Sequence, residues 1–155
     1  MATELPINDL SPLPQSGKLF GLDLGTKTIG IAISDGLRLS ATPLETIRRT
    51  KFSADADALI RLIDQNQIVG LVLGLPINMD GSEGPRAQST RAFARNFASR
   101  KPIPIAFWDE RLSTSAVTRT LIEADTSRAR RAEVVDKLAA SYILQVALDR
   151  LSHGV

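Results

Sequence analysis

Apolar positions come in short strand-like blocks up to about residue 50, and then shift to helical spacing. Leu19-Phe20-Gly21-Leu22-Asp23-Leu24 predicts a first strand over 19–24, and a second over 28–34 returns directly from a Gly-Thr turn. A third strand is expected over 42–47. Ala58, Leu59, Leu62 and Ile63 recur on one helical face, predicting a helix over 53–66. Residues 68–73 are continuously apolar, as in a central strand covered on both sides. A glycine-rich loop, 74–84, precedes Pro85, which suits the first position of a helix ending near 99. A fifth strand, 103–108, and two helices, 113–123 and 132–151, complete the chain. Three meander strands followed by β-α-β units predict an α/β fold with a mixed sheet. Residues 1–17 contain Pro6, Pro12 and Pro14 without apolar periodicity, and read as a disordered leader before a single domain, 18–155.

Two carboxylates break the apolar pattern. Asp23 lies between leucines, where burial costs several kcal/mol unless something pairs with it. A metal ion or phosphate-bearing ligand at the hairpin mouth would compensate; a hydrogen bond to the turn is the alternative. Its place at the strand's apolar centre favours the ligand. In the last helix, Lys137, Ser141, Gln145 and Asp149 form one stripe, read as the solvent face. At ~100° per residue, Asp136 falls about 160° from that stripe's centre. It thus lies among Ala132, Ala139, Ala140, Ile143 and Ala147. An inward carboxylate outweighs the alternative, a macrodipole contact at the helix start. Asp109-Glu110-Arg111 ends the fifth strand, with the two acids expected on opposite faces. Alone this triplet would be a surface ion-pair cluster. Beside Asp23 and Asp136 it offers a third carboxylate, the set that two-metal phosphodiester chemistry requires.

Composition narrows the chemistry. The 155 residues suffice for one domain with a real core. Absence of cysteine excludes disulfides, thiolate catalysis and Cys-type zinc sites, and the single histidine is His153. Any metal must therefore be held by oxygen, which points to Mg²⁺ or Mn²⁺. No apolar run reaches membrane length and no signal-peptide core opens the chain, so a cytoplasmic protein without a membrane partner is expected. Net charge is only +2, but Arg86, Arg91, Arg95, Arg100 and Lys101 cluster without an intervening acid, and Arg128, Arg130 and Arg131 form a second group. Such patches fit a polyanion such as nucleic acid. Phe93 and Phe97 mark the buried face of their helix, so Arg91 and Arg95 are expected to face solvent. Arg86, at the end of the glycine loop, is the better phosphate contact. A loop between strand end and helix start is where α/β folds bind phosphate.

Four blocks in order, Asp23-Leu24-Gly25-Thr26-Lys27, Gly74-Leu75-Pro76 with Asn78-Met79-Asp80-Gly81-Ser82, Asp109-Glu110-Arg111-Leu112-Ser113-Thr114, and Asp136-Lys137-Leu138-Ala139-Ala140, resemble the YqgF or RuvX family of ribonuclease-H-like proteins. That family is described as Holliday junction resolvases or as nucleases acting on the 5′ end of pre-16S ribosomal RNA. The resemblance spans nearly all of residues 18–151. It implies a ribonuclease-H-like α/β fold, a five-stranded mixed sheet of order 3-2-1-4-5 flanked by helices. It also implies Asp23, Glu110 and Asp136 as the catalytic and metal-binding acids, with Mg²⁺ as metal. The nucleic-acid contacts then expected are Gly25, Thr26 and Lys27 in the first turn, Asn78 and Gly81 in the loop, and Arg86 and Arg111. Related resolvases usually carry their second carboxylate at the end of the fourth strand, where this chain has Gly74-Leu75-Pro76. Glu110 sits two strand spacings, roughly 10 Å, from Asp23 instead.

Three functions compete on these residues. The leading one is a metal-dependent endonuclease processing the 5′ end of pre-16S rRNA, or a resolvase-like nuclease on branched DNA. An actin-like or sugar-kinase-like ATP site could use Asp23-Leu24-Gly25-Thr26, but needs two similar halves and so a longer chain. A binding module without turnover would need the basic segments and not the inward acids.

Overall fold

The computed structural model describes the backbone of residues 6–112 and 128–152, with side chains for 6–111 and 137–152. Its elements are β1 (Lys18–Leu24), β2 (Thr28–Ser34), β3 (Ala41–Arg48), α1 (Phe52–Asn66), β4 (Ile68–Leu75), α2 (Pro85–Arg100), β5 (Ile105–Asp109) and α3 (Arg128–Ser152). The helix expected over 113–123 and the side chains of Arg128, Arg130, Arg131 and Asp136 lie outside the described residues.

The sheet order is β3-β2-β1-β4-β5. The first three strands pair antiparallel, while β1 with β4 and β4 with β5 pair parallel. This is the α/β fold and the strand order that the resemblance implied. Alternation along the strands divides the core in two. Phe20, Leu22, Leu71, Leu73, Ile105 and Phe107 pack toward α1 and α2, against Leu59, Phe93 and Phe97. On the other side Leu19, Ala32, Val72, Ala106 and Trp108 pack against Ala140, Ile143, Leu144 and Ala147 of α3. Gly21 permits that second layer: a Cβ there would stand 2.7 Å from both the Ala140 carbonyl oxygen and Leu144 Cβ. The helix backbone therefore lies directly on β1.

Two expectations are corrected. Residues 6–17 are not a disordered leader. Leu10 and Leu13 are buried in the α3-side core, and Ile7 bridges Phe107 on the outer edge of β5. Asn8, in the left-handed region at φ 62°, donates its N–H to the Phe107 carbonyl at 2.8 Å. Its Oδ1 accepts the Asp109 N–H, also at 2.8 Å. The segment thus fills hydrogen-bonding positions that an edge strand would leave open. Nor is the Lys137–Asp149 stripe wholly a solvent face. Ser141 is buried, and Gln145 Oε1 accepts the Ala41 N–H at 2.9 Å. Strand β3 curls around α3, and a glutamine serves its edge.

Candidate active site

Strand alternation sets the site. On β1, Leu22 and Leu24 face α1 and α2, so Asp23 falls on the α3 side with Leu19 and Gly21. It lies opposite Gly30 of β2 and is only 2% exposed. On β5, Ala106 and Trp108 face α3 while Ile105 and Phe107 face the other way. Glu110 opens a single 3-10 turn just past the strand. Its Cγ stands 3.4 Å from where a Cβ on Gly74 would lie, and that Cβ would also collide with Ile143 Cδ1 of α3. Glu110 is therefore on the α3 side, its stem beside the β4 glycine.

No side chain rises from β4 at Gly74, and the stem of Glu110 lies beside that gap. Asp23 and Glu110 share one face at the carboxyl edge of three parallel strands, the position where α/β sheets place ligands. Asp136 stands in α3 four residues before Ala140, which presses on this face; its side chain lies outside the described residues. Among the described residues no group of three or more acids or histidines is placed to hold a metal ion.

Asp109 does something else. It is buried, and both its oxygens accept from Arg111: Nε at 3.1 Å to each and Nη2 at 2.8 Å to Oδ2. Oδ1 also accepts the Arg111 backbone N–H at 2.9 Å. These bonds push the Arg111 guanidinium above its ordinary value. Arg111 Nη1 in turn donates to the Asn78 carbonyl at 3.1 Å, tying the β4–α2 loop to the end of β5.

That loop is internally bonded. Asn78 N–H donates to Ser82 O and Gly81 N–H to Asn78 O, each at 2.9 Å. Ser82 donates from N and Oγ to Asp80, holding that carboxyl below its ordinary value. Gly81 has φ +90°, a conformation that only glycine adopts freely. In the first turn, Gly25 N–H donates to Thr28 O and its carbonyl accepts from Arg49 Nη1, while Thr26 and Lys27 are exposed. Arg86 is exposed and donates from Nη2 to the Leu24 carbonyl at 3.3 Å.

Arg91 is a correction: it does not face solvent. Buried at 8% exposure, it donates from Nε and Nη2 to Glu83 at 2.6 and 2.9 Å, and its guanidinium lies 4.9 Å over the Phe107 ring. Phe93 and Phe97 do mark a buried face, but Phe107 of β5 belongs to the same core and lies under the Arg91 guanidinium. Arg95 remains exposed. Sequence reasoning passed over two features: Asn8, and the basic residues Arg49 and Lys51 at the start of α1. The sequence carries a signal for the latter, as Arg48-Arg49-Thr50-Lys51 holds three cations in four residues.

The close approach at Gly74 yields a prediction. Gly74→Ala should displace Ile143 or Glu110 and so lower turnover together with thermal stability. Paired with Ile143→Val, which makes room for the new methyl, it should recover stability and show whether Glu110 is still displaced. Full activity in the single variant would detach Gly74 from the placement of Glu110.

Comparison with known proteins agrees with this architecture. The sequence profile of the family described as "RuvX: Holliday junction resolvase" matches residues 17–150. A relative from Paracoccus denitrificans, named "Putative pre-16S rRNA nuclease", is 69% identical over 139 residues, covering 90% of this chain and 88% of its own. A relative of the same name from Paramagnetospirillum magneticum is 62% identical over 147 residues, 95% of each chain. Among solved structures, T. thermophilus RuvC in complex with a Holliday junction substrate superposes with a TM-score of 0.57. At 12% identity, over 90% of this chain and 98% of that one, it shares the fold. With a family profile and relatives that span almost the whole sequence, and with a sheet order that fits them, this chain belongs to the RuvX family.

Proposed function

We propose that this protein is a metal-dependent endonuclease that hydrolyses a phosphodiester bond near the 5′ end of pre-16S rRNA, acting in the cytoplasm. No described helix is long and apolar enough to cross a membrane. The observation that carries the reading is the presence of Asp23 and Glu110 on one face at the carboxyl edge of the sheet, in a chain 69% identical to a relative bearing that name.

The donor set fits a hard divalent cation: the described part of the site offers carboxylate oxygens and neither thiolate nor imidazole. Asp23, Glu110 and Asp136 are assigned as the ligands of Mg²⁺ or Mn²⁺. Bound there, the ion supplies Lewis acidity and an activated water for in-line displacement. The protein's own groups bind and orient the strand. Gly25, Thr26 and Lys27 flank Asp23 on the turn, Asn78 and Gly81 hold the shape of the loop through their own backbone bonds, and Arg86 and Arg111 supply charge at either end of the row. Arg111 is already oriented by Asp109, so little of its side-chain freedom remains to be lost on binding.

Purified protein with Mg²⁺ is expected to cut a transcript spanning the 5′ end of pre-16S rRNA, and to stop on addition of EDTA. Cleavage that persists in EDTA, or an intact transcript with either Mg²⁺ or Mn²⁺, would sink the reading. Preferential cutting of a four-way DNA junction would move the activity to branched DNA.

A further inference from the structure

A second concave surface lies on the α1 and α2 side of the sheet, across β1 from Asp23. It is a cavity of about 440 Å³ between the β1–β2 turn, the link from β3 to α1 and the start of α2. Three cations line it, Arg49, Lys51 and Arg86, together with the hydroxyls of Thr26 and Ser89. Its one carboxylate, Asp55, is 4% exposed and already accepts the Thr50 N–H at 3.0 Å. Among the described residues none of the three cations is in an ion pair.

Both arginines are nonetheless held in place. Arg49 donates from Nη1 to the Gly25 carbonyl at 2.7 Å, with its guanidinium 5.9 Å from the Phe93 ring centre. Arg86 is fixed to the Leu24 carbonyl. A guanidinium has five N–H donors, so each keeps most of its donors for an oxyanion after one carbonyl bond. Two oriented guanidinium groups, an ammonium and two hydroxyls offer donors enough for the two non-bridging oxygens of a phosphodiester, and the cavity leaves room for the strand on either side of it.

We propose that this cavity is a backbone-phosphate subsite, holding an internal phosphodiester of the nucleic acid whose cleavage site lies at Asp23 and Glu110. The strand would pass over the Gly25–Lys27 turn, with one phosphate on each side of β1. Arg86, at the end of the row beside the Gly25 turn, then makes its contact from this cavity. The inference rests on the nuclease reading for the identity of its ligand.

Binding is measured in an Asp23→Asn background, so that cleavage does not interfere, with single-stranded RNA over a range of salt. Changing Arg49 and Arg86 together to glutamine should flatten the slope of log K against log salt by about 0.7, the share of the single phosphate that the cavity holds on a single strand. The same exchange at Arg61 and Arg150, exposed elsewhere on α1 and α3, should leave it unchanged. Inorganic phosphate, added against chloride at equal ionic strength, should move the Thr26, Lys51 and Ser89 amide resonances in the wild-type protein. Equal slopes in the two double variants, with those resonances unmoved, overturn the subsite while the cleavage assay still decides the nuclease reading. A protein that binds inorganic phosphate there but no RNA overturns the strand assignment, and the cleavage assay alone decides the nuclease reading. Loss of affinity confined to 5′-phosphorylated RNA would make the ligand a terminal monoester and overturn the internal one.

Discussion

Glu110→Gln should eliminate turnover while the protein remains folded. The exchange removes one anionic oxygen at nearly constant shape, and the stem beside Gly74 stays as it was. Charge stabilisation worth several kcal/mol, at ~1.4 kcal/mol per tenfold, corresponds to a loss of about a thousandfold. Asp23→Asn should be equally damaging to cleavage. Its melting temperature should hold or rise, since repulsion among clustered acids is relieved. Asp109→Asn is the contrast: it weakens the bond to Arg111 and should cost about 1–2 kcal/mol of stability while leaving measurable activity. Single-turnover cleavage and thermal unfolding of the three variants separate these outcomes. If Asp109 proved essential and Glu110 dispensable, the site would lie on the α1 and α2 side of β5.

Arg91→Ala should be the most destabilising exchange among the arginines of α2, and a poor probe of nucleic-acid binding. It deletes a two-pronged bond to Glu83 from a side chain 10% exposed, along with the stacking over Phe107. The partner carboxylate is partly solvated at 32%, which places the loss at about 2–3 kcal/mol, below that of a wholly buried pair. For a chain of this size that is a melting shift of roughly 5–10 °C. The acid limb gives a second readout. Arg91 holds the Glu83 carboxyl below its ordinary 4.5. A lowered folded value means that this stabilisation is complete above pH 4.5 and fades as pH falls through the folded value. Wild type and variant should therefore draw together at low pH, keeping the difference due to Phe107. A constant gap from pH 7 to pH 3 would show that the ion pair contributes nothing. An unchanged salt slope for RNA binding is expected, because Arg91 has no free face to offer a phosphate.

The fold was largely legible because its signals are short in range. The span 28–34 coincides with β2, and those read for α1 and α2 end within one residue of the observed helices. Strand β4 runs on to Leu75, two residues beyond its expected end, because Gly74 and Leu75 still pair with β5. Strand β5 begins at Ile105 because Pro102 and Pro104 precede it and cannot donate to a ladder. Within the site, alternation alone put Asp109 and Glu110 on opposite faces, and the surrounding cores agree. Helical phase misplaces Arg91 because it allows α2 only one buried face. Its surroundings include a phenylalanine from β5 and a glutamate from the preceding loop, neither of which helical phase can anticipate.

What the sequence determined by itself was local and periodic: the strands and most helices, the acid placed among leucines at position 23, the glycine at 74 that leaves room for a neighbour, and the blocks that mark the family. Tertiary structure decided which groups meet across long stretches of chain. Asn8 serves Asp109 from 101 residues away, Gln145 serves Ala41 across 104, and Arg86 reaches Leu24 across 62. Propensity and alternation act between near neighbours, whereas the partner of a buried N–H or a guanidinium is set by how twisted layers come to rest on one another. The acidic face could therefore be read from the chain, while the basic cavity across β1 existed only once Arg49 and Arg86 had been brought together.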